Sequence, residues 1–244
     1  MLVAGVITSM RRKGLKKTII LAIAGAASFG VGFLTTLHAQ PPDRFDMKVR
    51  EDFFAGYAGN KDAFARGMKA CEGALAKNPK DAEALVWQGG GFYFQAGEAF
   101  RAGDQQKGME LYSRGLEEMK AAVTLSDTVA THIPRGAVLL AGSHYVPPDM
   151  AKPLIADGVA DYERTLEIQK DYFNTLDTHA RGELLFGIAE GYSRLGDTAK
   201  AEAYFTRIKN DLPNSAYAKR ADTWFSTKSI PANQTGCIGC HTAK

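Results

Sequence analysis

Cys237, Cys240 and His241 stand in the segment Cys237-Ile238-Gly239-Cys240-His241, the one constellation in this chain whose types and spacing specify a cofactor. Two thiols separated by two residues can each add across one vinyl group of a porphyrin, sulfur to one carbon and hydrogen to the other. The imidazole that follows directly is then placed beneath the iron as the proximal axial ligand. The pattern predicts one covalent haem c, held by Cys237 and Cys240, with His241 on the iron. Two cysteines at this spacing also occur in zinc sites and in thiol redox sites. Zinc needs four ligands, and the sequence carries no second Cys/His pair at metal spacing. A thioredoxin-like site would open a helix after a strand, a context the flanking residues do not provide. A plain Cys237–Cys240 disulfide is the remaining competitor.

The amino-terminal residues bear on that choice. Arg11, Arg12, Lys13, Lys16 and Lys17 form a basic cluster with no acidic residue before Asp43, and an apolar run follows from Thr18 to Leu37. Leu37-His38-Ala39 precedes Gln40 as a cleavage site, which completes the three-part layout of a secretory leader over residues 1–39. The run 18–37 is also long enough to cross a bilayer, so a retained membrane anchor stands beside a cleaved leader. Either way the expected compartment is the periplasm, where bacterial haem c is attached and where the environment is oxidising. Export supports the haem, weakens the zinc reading and keeps the disulfide in play. The third cysteine, Cys71, falls on an apolar helical face and reads as a small buried hydrophobe.

The full chain of 244 residues carries a net charge of +3. The five basic residues of the leader account for it, since 25 Lys/Arg against 27 Asp/Glu remain beyond residue 39, a net −2. No basic patch is left for nucleic acid. A nucleophile elbow, a phosphate loop and a His-Glu metal motif are all absent from the sequence, so neither an enzyme nor a small-molecule substrate is expected.

The elements that must position the motif are helical. Leu185, Ile188, Ala189 and Tyr192 recur at helical spacing, followed by Ala201, Phe205 and then Pro213. Small Ala189 and Ala201 let two helices approach. Gly196-Asp197 turns between them, and Ser215 caps a closing helix with Tyr217, Ala221 and Trp224 inward. Over residues 182–215 this pattern resembles the tetratricopeptide repeat, a 34-residue pair of antiparallel helices. Weaker units precede it. Val49–Ala58 pairs with Asp62–Lys77, and a helix capped by Asp81 pairs with Asp104–Val123, with Met109, Tyr112, Leu116, Met119 and Val123 inward. Arg135–Ser143 pairs with a long helix over Ala151–Leu176 across the rigid connector Tyr145-Val146-Pro147-Pro148. The fold class this implies is all-α: an antiparallel helix-pair solenoid of tetratricopeptide type over residues 40–225, followed by a linker and haem-binding tail over 226–244. Solenoids of this kind usually bind proteins or peptides.

The linker Ser226–Gly236 is polar and lacks apolar periodicity, so it should be extended, with a reach of about 35–40 Å. Three residues follow His241, so the local chain is not expected to wrap the porphyrin as compact cytochromes c do. A largely apolar ring left in water is unfavourable by about 25 cal/mol per Å², so the haem is expected to dock on the helical body or on another protein. The second axial ligand is left open: His132 (read as a loop residue before Pro134), His144 and His179 are candidates, each reading more readily as a capping or surface residue, and a five-coordinate iron or a ligand from a partner stands beside them. The methionines Met47, Met68, Met109, Met119 and Met150 read more readily as packing residues. Gly89-Gly90-Gly91, flanked by Trp87 and Phe92-Tyr93-Phe94, marks either a close helix contact or a place for a flat ligand, the helix contact being the stronger reading. The expected function is one-electron transfer, with the repeats recruiting a redox or membrane-associated protein partner. The alternative is a periplasmic scaffold or assembly protein whose two tail cysteines form a disulfide and hold no haem.

Overall fold

Side chains that accept a hydrogen bond from the third residue onward start six of the helices. Asn60, Asp81, Asp104, Asp177, Asp197 and Ser215 each take the backbone N–H of residue i+3 at 2.8–3.1 Å, satisfying one of the donors a helix start leaves unpaired. The computed structural model describes residues 44–231, and these are all-α. The elements are α1 (Asp46–Tyr57), α2 (Lys61–Lys77), α3 (Ala82–Arg101), α4 (Gln105–Leu125), α5 (Val129–Gly142), α6 (Pro148–Ile168), a 3-10 turn at Phe173–Thr175, α7 (Thr178–Leu195), α8 (Thr198–Asp211) and α9 (Ala216–Thr227).

Short connections make α1 and α2, α3 and α4, α5 and α6, and α7 and α8 into packed helix hairpins. Gly196 ends α7 in the left-handed region at φ 83°, where a side chain would be strained, and Gly59 and Gly103 play the same part in the first two hairpins. The α5–α6 hairpin differs. Its turn runs through Tyr145, Val146 and Pro147, and Pro148 opens α6 with the φ a first helical residue needs. Each odd-numbered helix also packs on the next one, from α1 through α9.

The apolar interior falls into two clusters. One joins Val49, Phe53, Phe64, Met68, Cys71, Val86, Trp87, Phe92 and Met119 with Leu139 and Leu154. The other gathers Leu140, Val159, Tyr162, Leu185, Ile188, Phe205, Ile208, Tyr217 and Trp224. Trp224 closes the second cluster, stacked on Phe205 with ring centres 4.7 Å apart and donating its indole N–H to Ser193 Oγ at 2.8 Å.

Several elements differ from the sequence reading. α5 begins six residues before Arg135 and runs through Pro134, so His132 lies in a helix and not in a loop. The start is fixed by Thr131, whose hydroxyl donates to Ser126 O at 2.6 Å and accepts from Thr128 N–H at 3.5 Å. The long helix expected to reach Leu176 stops at Ile168 and is followed by the 3-10 turn that buries Phe173. Met109, expected inward, is on the surface of α4. α7 begins at Thr178, one turn earlier than the repeat pattern indicated.

Candidate functional site

Cys237, Cys240 and His241 lie outside the described residues, as do residues 1–39, expected to form a leader or a membrane anchor. The described residues include the chain leading out of α9 and the three histidines that the sequence offered as candidate ligands, His132, His144 and His179. Among the described residues no group of three or more His, Cys, Asp or Glu is placed to hold a metal ion, and no described helix is long and apolar enough to cross a membrane.

His132 is committed elsewhere. Its ring is buried between α5 and α6, with Nδ1 2.7 Å from Asp161 Oδ1 and Nε2 2.9 Å from Asp127 Oδ1. Arg135 reaches Asp161 at 3.2 Å and Asp157 at 2.7 Å, and Arg164 grips Asp127 at 2.5 Å. The hydrogen bonds from Arg164 and then His132 hold the Asp127 carboxyl well below the usual carboxylate range. Burial pushes the Asp161 carboxyl up, against the pull of His132 and Arg135. Both ring nitrogens are engaged by carboxylates, so neither is open to a further partner. His179 stands in the first turn of α7, with Nδ1 3.1 Å from the Tyr217 hydroxyl.

His144 sits in the α5–α6 turn, at the end of the array where α7 and α9 terminate. Arg194, in the last turn of α7, staples this turn down: Nη1 donates to Ser143 Oγ at 2.7 Å, Nη2 to Ser143 O at 3.0 Å, and Nη1 lies 3.1 Å from His144 Nε2. Ser143 is buried and its hydroxyl donates to Leu140 O at 2.6 Å. Glu190, one turn before Arg194 and buried, lies 3.6 Å from the guanidinium and 3.5 Å from His144 Nε2. Burial raises the Glu190 carboxyl to about 7 despite Arg194. Burial and the neighbouring guanidinium both lower the His144 ring from its ordinary value.

His144, Glu190 and Arg194 line a cavity of about 330 Å³ together with Ser193, Lys228, Ser229 and Ile230. Its last three residues are the chain on its way out of α9. Lys228 caps α9 in the left-handed region at φ 55°, its ammonium 4.4 Å over the Trp224 ring, and Ile230 packs against the second core cluster. The sequence reading counted His144 as a candidate ligand. It gave no sign of Arg194, Glu190 or Ser143, which reach the site only through the packing of α7 on α5.

Gly89, Gly90 and Gly91 are a helix contact. A Cβ on Gly89 would stand 2.8 Å from Gly115 O and 2.9 Å from Met119 N, and one on Gly91 would meet Met68 and Phe53. The space over these glycines is filled by α4, α1 and α2, so no flat ligand lies there. A larger cleft of about 690 Å³ lies between α2 and α3, with Phe64, Met68, Phe92 and Phe94 on its walls and Lys61, Lys69, Glu72 and Glu98 among its polar residues. Comparison with protein-family models, curated proteins and solved structures returned no match.

Proposed function

We propose that this protein is an exported c-type haem protein, a one-electron carrier whose helical body is a tetratricopeptide-type scaffold for docking a redox or membrane-associated protein partner. The carrying observation is Cys237-Ile238-Gly239-Cys240-His241, in a chain whose residues 1–39 carry a basic cluster and an apolar run that read as a secretory leader or a membrane anchor. Cys237 and Cys240 hold the porphyrin by thioethers, and His241 fixes the iron from one side. Bound there, haem supplies a reversible one-electron couple, reduced by one protein partner and oxidised by another. Support for the scaffold comes from the hairpin pairing of the helices, the packing of each odd helix on the next, and the repeat-like residues over 182–215.

A haem stain on a denaturing gel tests the cofactor, using protein produced in a periplasm with haem-attachment machinery. Colour that survives boiling, together with an intact mass raised by one haem, is the expected result. Cys237→Ser should remove one of the two attachment points and alter the absorption spectrum. A colourless protein whose mass falls by two hydrogens would instead support the second reading, a scaffold with a Cys237–Cys240 disulfide. The oxidising compartment implied by the leader favours that alternative over zinc.

A further inference from the structure

We propose that Arg194 and His144 form an acid-sensitive latch: the guanidinium and the neutral imidazole together hold the α5–α6 turn onto the end of α7, and protonation of the imidazole releases it. The latch goes beyond the haem reading and does not depend on it. Arg194 grips two consecutive residues of the turn. Nη1 meets Ser143 Oγ at 2.7 Å and His144 Nε2 at 3.1 Å, and Nη2 meets Ser143 O at 3.0 Å. The residues just beyond the grip tie it to the rest of the fold. Val146 packs against both core clusters, so the turn lies over the seam between them, and Tyr145 beside it is 88% exposed. Releasing the turn would therefore loosen the join of the two clusters.

A guanidinium has only donors, so Nε2 accepts from Nη1 and the ring proton sits on Nδ1. A second proton must go onto Nε2, the nitrogen that faces Arg194. It turns the acceptor into a donor aimed at a donor and sets a cation beside a cation. With Nε2 committed in this way, His144 serves the turn and not an iron. The surrounding charges give an imidazolium little relief. From α7 the ring meets Arg194 and, 3.5 Å from Nε2, the buried carboxylate of Glu190. From the exit of α9, Lys228 lines the same cavity, its own ammonium 3.6 Å from Glu202 of α8. The other lining residues, Ser193, Ser229 and Ile230, carry no charge. Burial makes Glu190 take up its proton at about 7, whereas burial and Arg194 hold the ring below its ordinary value. As the pH falls, the cavity thus loses its negative charge first and gains a positive one second. The two groups act on global stability with opposite signs. The contribution of His144 is present above about 6.5 and is lost as the pH falls through its folded value. That of Glu190 is lost as the pH rises through about 7. Opening is therefore a local event, to be read at the turn itself.

The test is amide hydrogen exchange on the full chain, corrected for the intrinsic pH dependence of exchange. The N–H groups of His144 and Tyr145 bond to Ala141 O and Gly142 O, so both report on the turn. Their protection should fall by about tenfold or more between about pH 8 and about pH 5, while amides in α8 keep theirs. His144→Gln retains an acceptor for Arg194 and has no proton to gain, so its turn should stay closed at both pH values. Arg194→Gln should leave the turn open at both. Circular dichroism checks that each variant keeps its helices. Native protection that ignores pH overturns the latch, and so does a pH response that survives His144→Gln. If the variants do not fold, the native protein decides. The NMR midpoint of the His144 ring should lie below about 6.5 and coincide with the loss of protection, and a mismatch overturns the proposal. None of these outcomes bears on the haem, which the stain and the intact mass test separately.

Discussion

At the scale of single residues, burial decides which reactive groups are available for chemistry. Cys71 is fully buried in the first core cluster, and burial, reinforced by the negative field of Glu118, Asp81 and Glu72, pushes its thiol up to about 12. The thiolate is the nucleophile, so Cys71 should resist iodoacetamide at pH 8 in the folded protein and react after denaturation. Rapid labelling of the native state would contradict its burial. Asp127 lies at the other extreme. Its carboxyl is depressed in the folded state, so its contribution to stability is present above about pH 4, the unfolded value, and is lost as the pH falls further. Asp161, raised by burial, acts with the opposite sign: its contribution fades as the pH rises. Replacing Asp127 with Asn should flatten the drop in Tm below about pH 4, and an unchanged acid limb would show that the Arg164 and His132 contacts add nothing. The His132 network could not be read from the sequence, because Asp161 joins it from 29 residues away and nothing local marks either partner.

At the scale of elements, the readable starts were those with a capping side chain. Asp81 and Ser215 each stand where a polar side chain precedes an apolar-periodic segment, and each accepts the expected hydrogen bond; Asn60 and Asp197, at turn positions, cap as well. The misread elements are those where a local signal loses to tertiary packing. Pro134 reads as a helix boundary, yet α5 absorbs it in its second turn, where His132 and Arg135 bind Asp161 of the next helix. Apolar Tyr172 and Leu176 extend a helical period past Ile168, yet the chain breaks there and uses a 3-10 turn to insert Phe173 into the core. The glycines at α3 and α4 give the sharpest test at this scale. Gly89 and Gly115 each face the other's carbonyl, and a Cβ on either would lie 2.7–2.8 Å from that oxygen. Backbone cannot swing aside as a flexible side chain can, so Gly89→Ala should destabilise the fold by about 2 kcal/mol or more, despite alanine's higher helix propensity. Equilibrium urea unfolding measures it, and a neutral or stabilising result would mean the helices are not that close.

At the scale of the whole molecule, α9 covers the end of the second core cluster and delivers the chain to the cavity beside His144. Trp224→Ala removes the ring stacked on Phe205 and leaves Ser193 Oγ without its indole donor. The expected cost is about 3–5 kcal/mol, read by calorimetry. The all-α class and the closing helix were legible from periodicity. The cavity was not, since it is assembled from a turn, the last turn of α7 and the exit of α9, which only the folded chain brings together.

Lys228 turns the backbone through a left-handed conformation that costs a lysine roughly 1 kcal/mol more than a glycine. Its ammonium is occupied by the Trp224 face and by Glu202 3.6 Å away. A glycine in that place would be easier on the main chain and would let the outgoing strand swing. With lysine the exit from α9 keeps a set heading, held by the two contacts of the ammonium and by Ile230 against the second cluster.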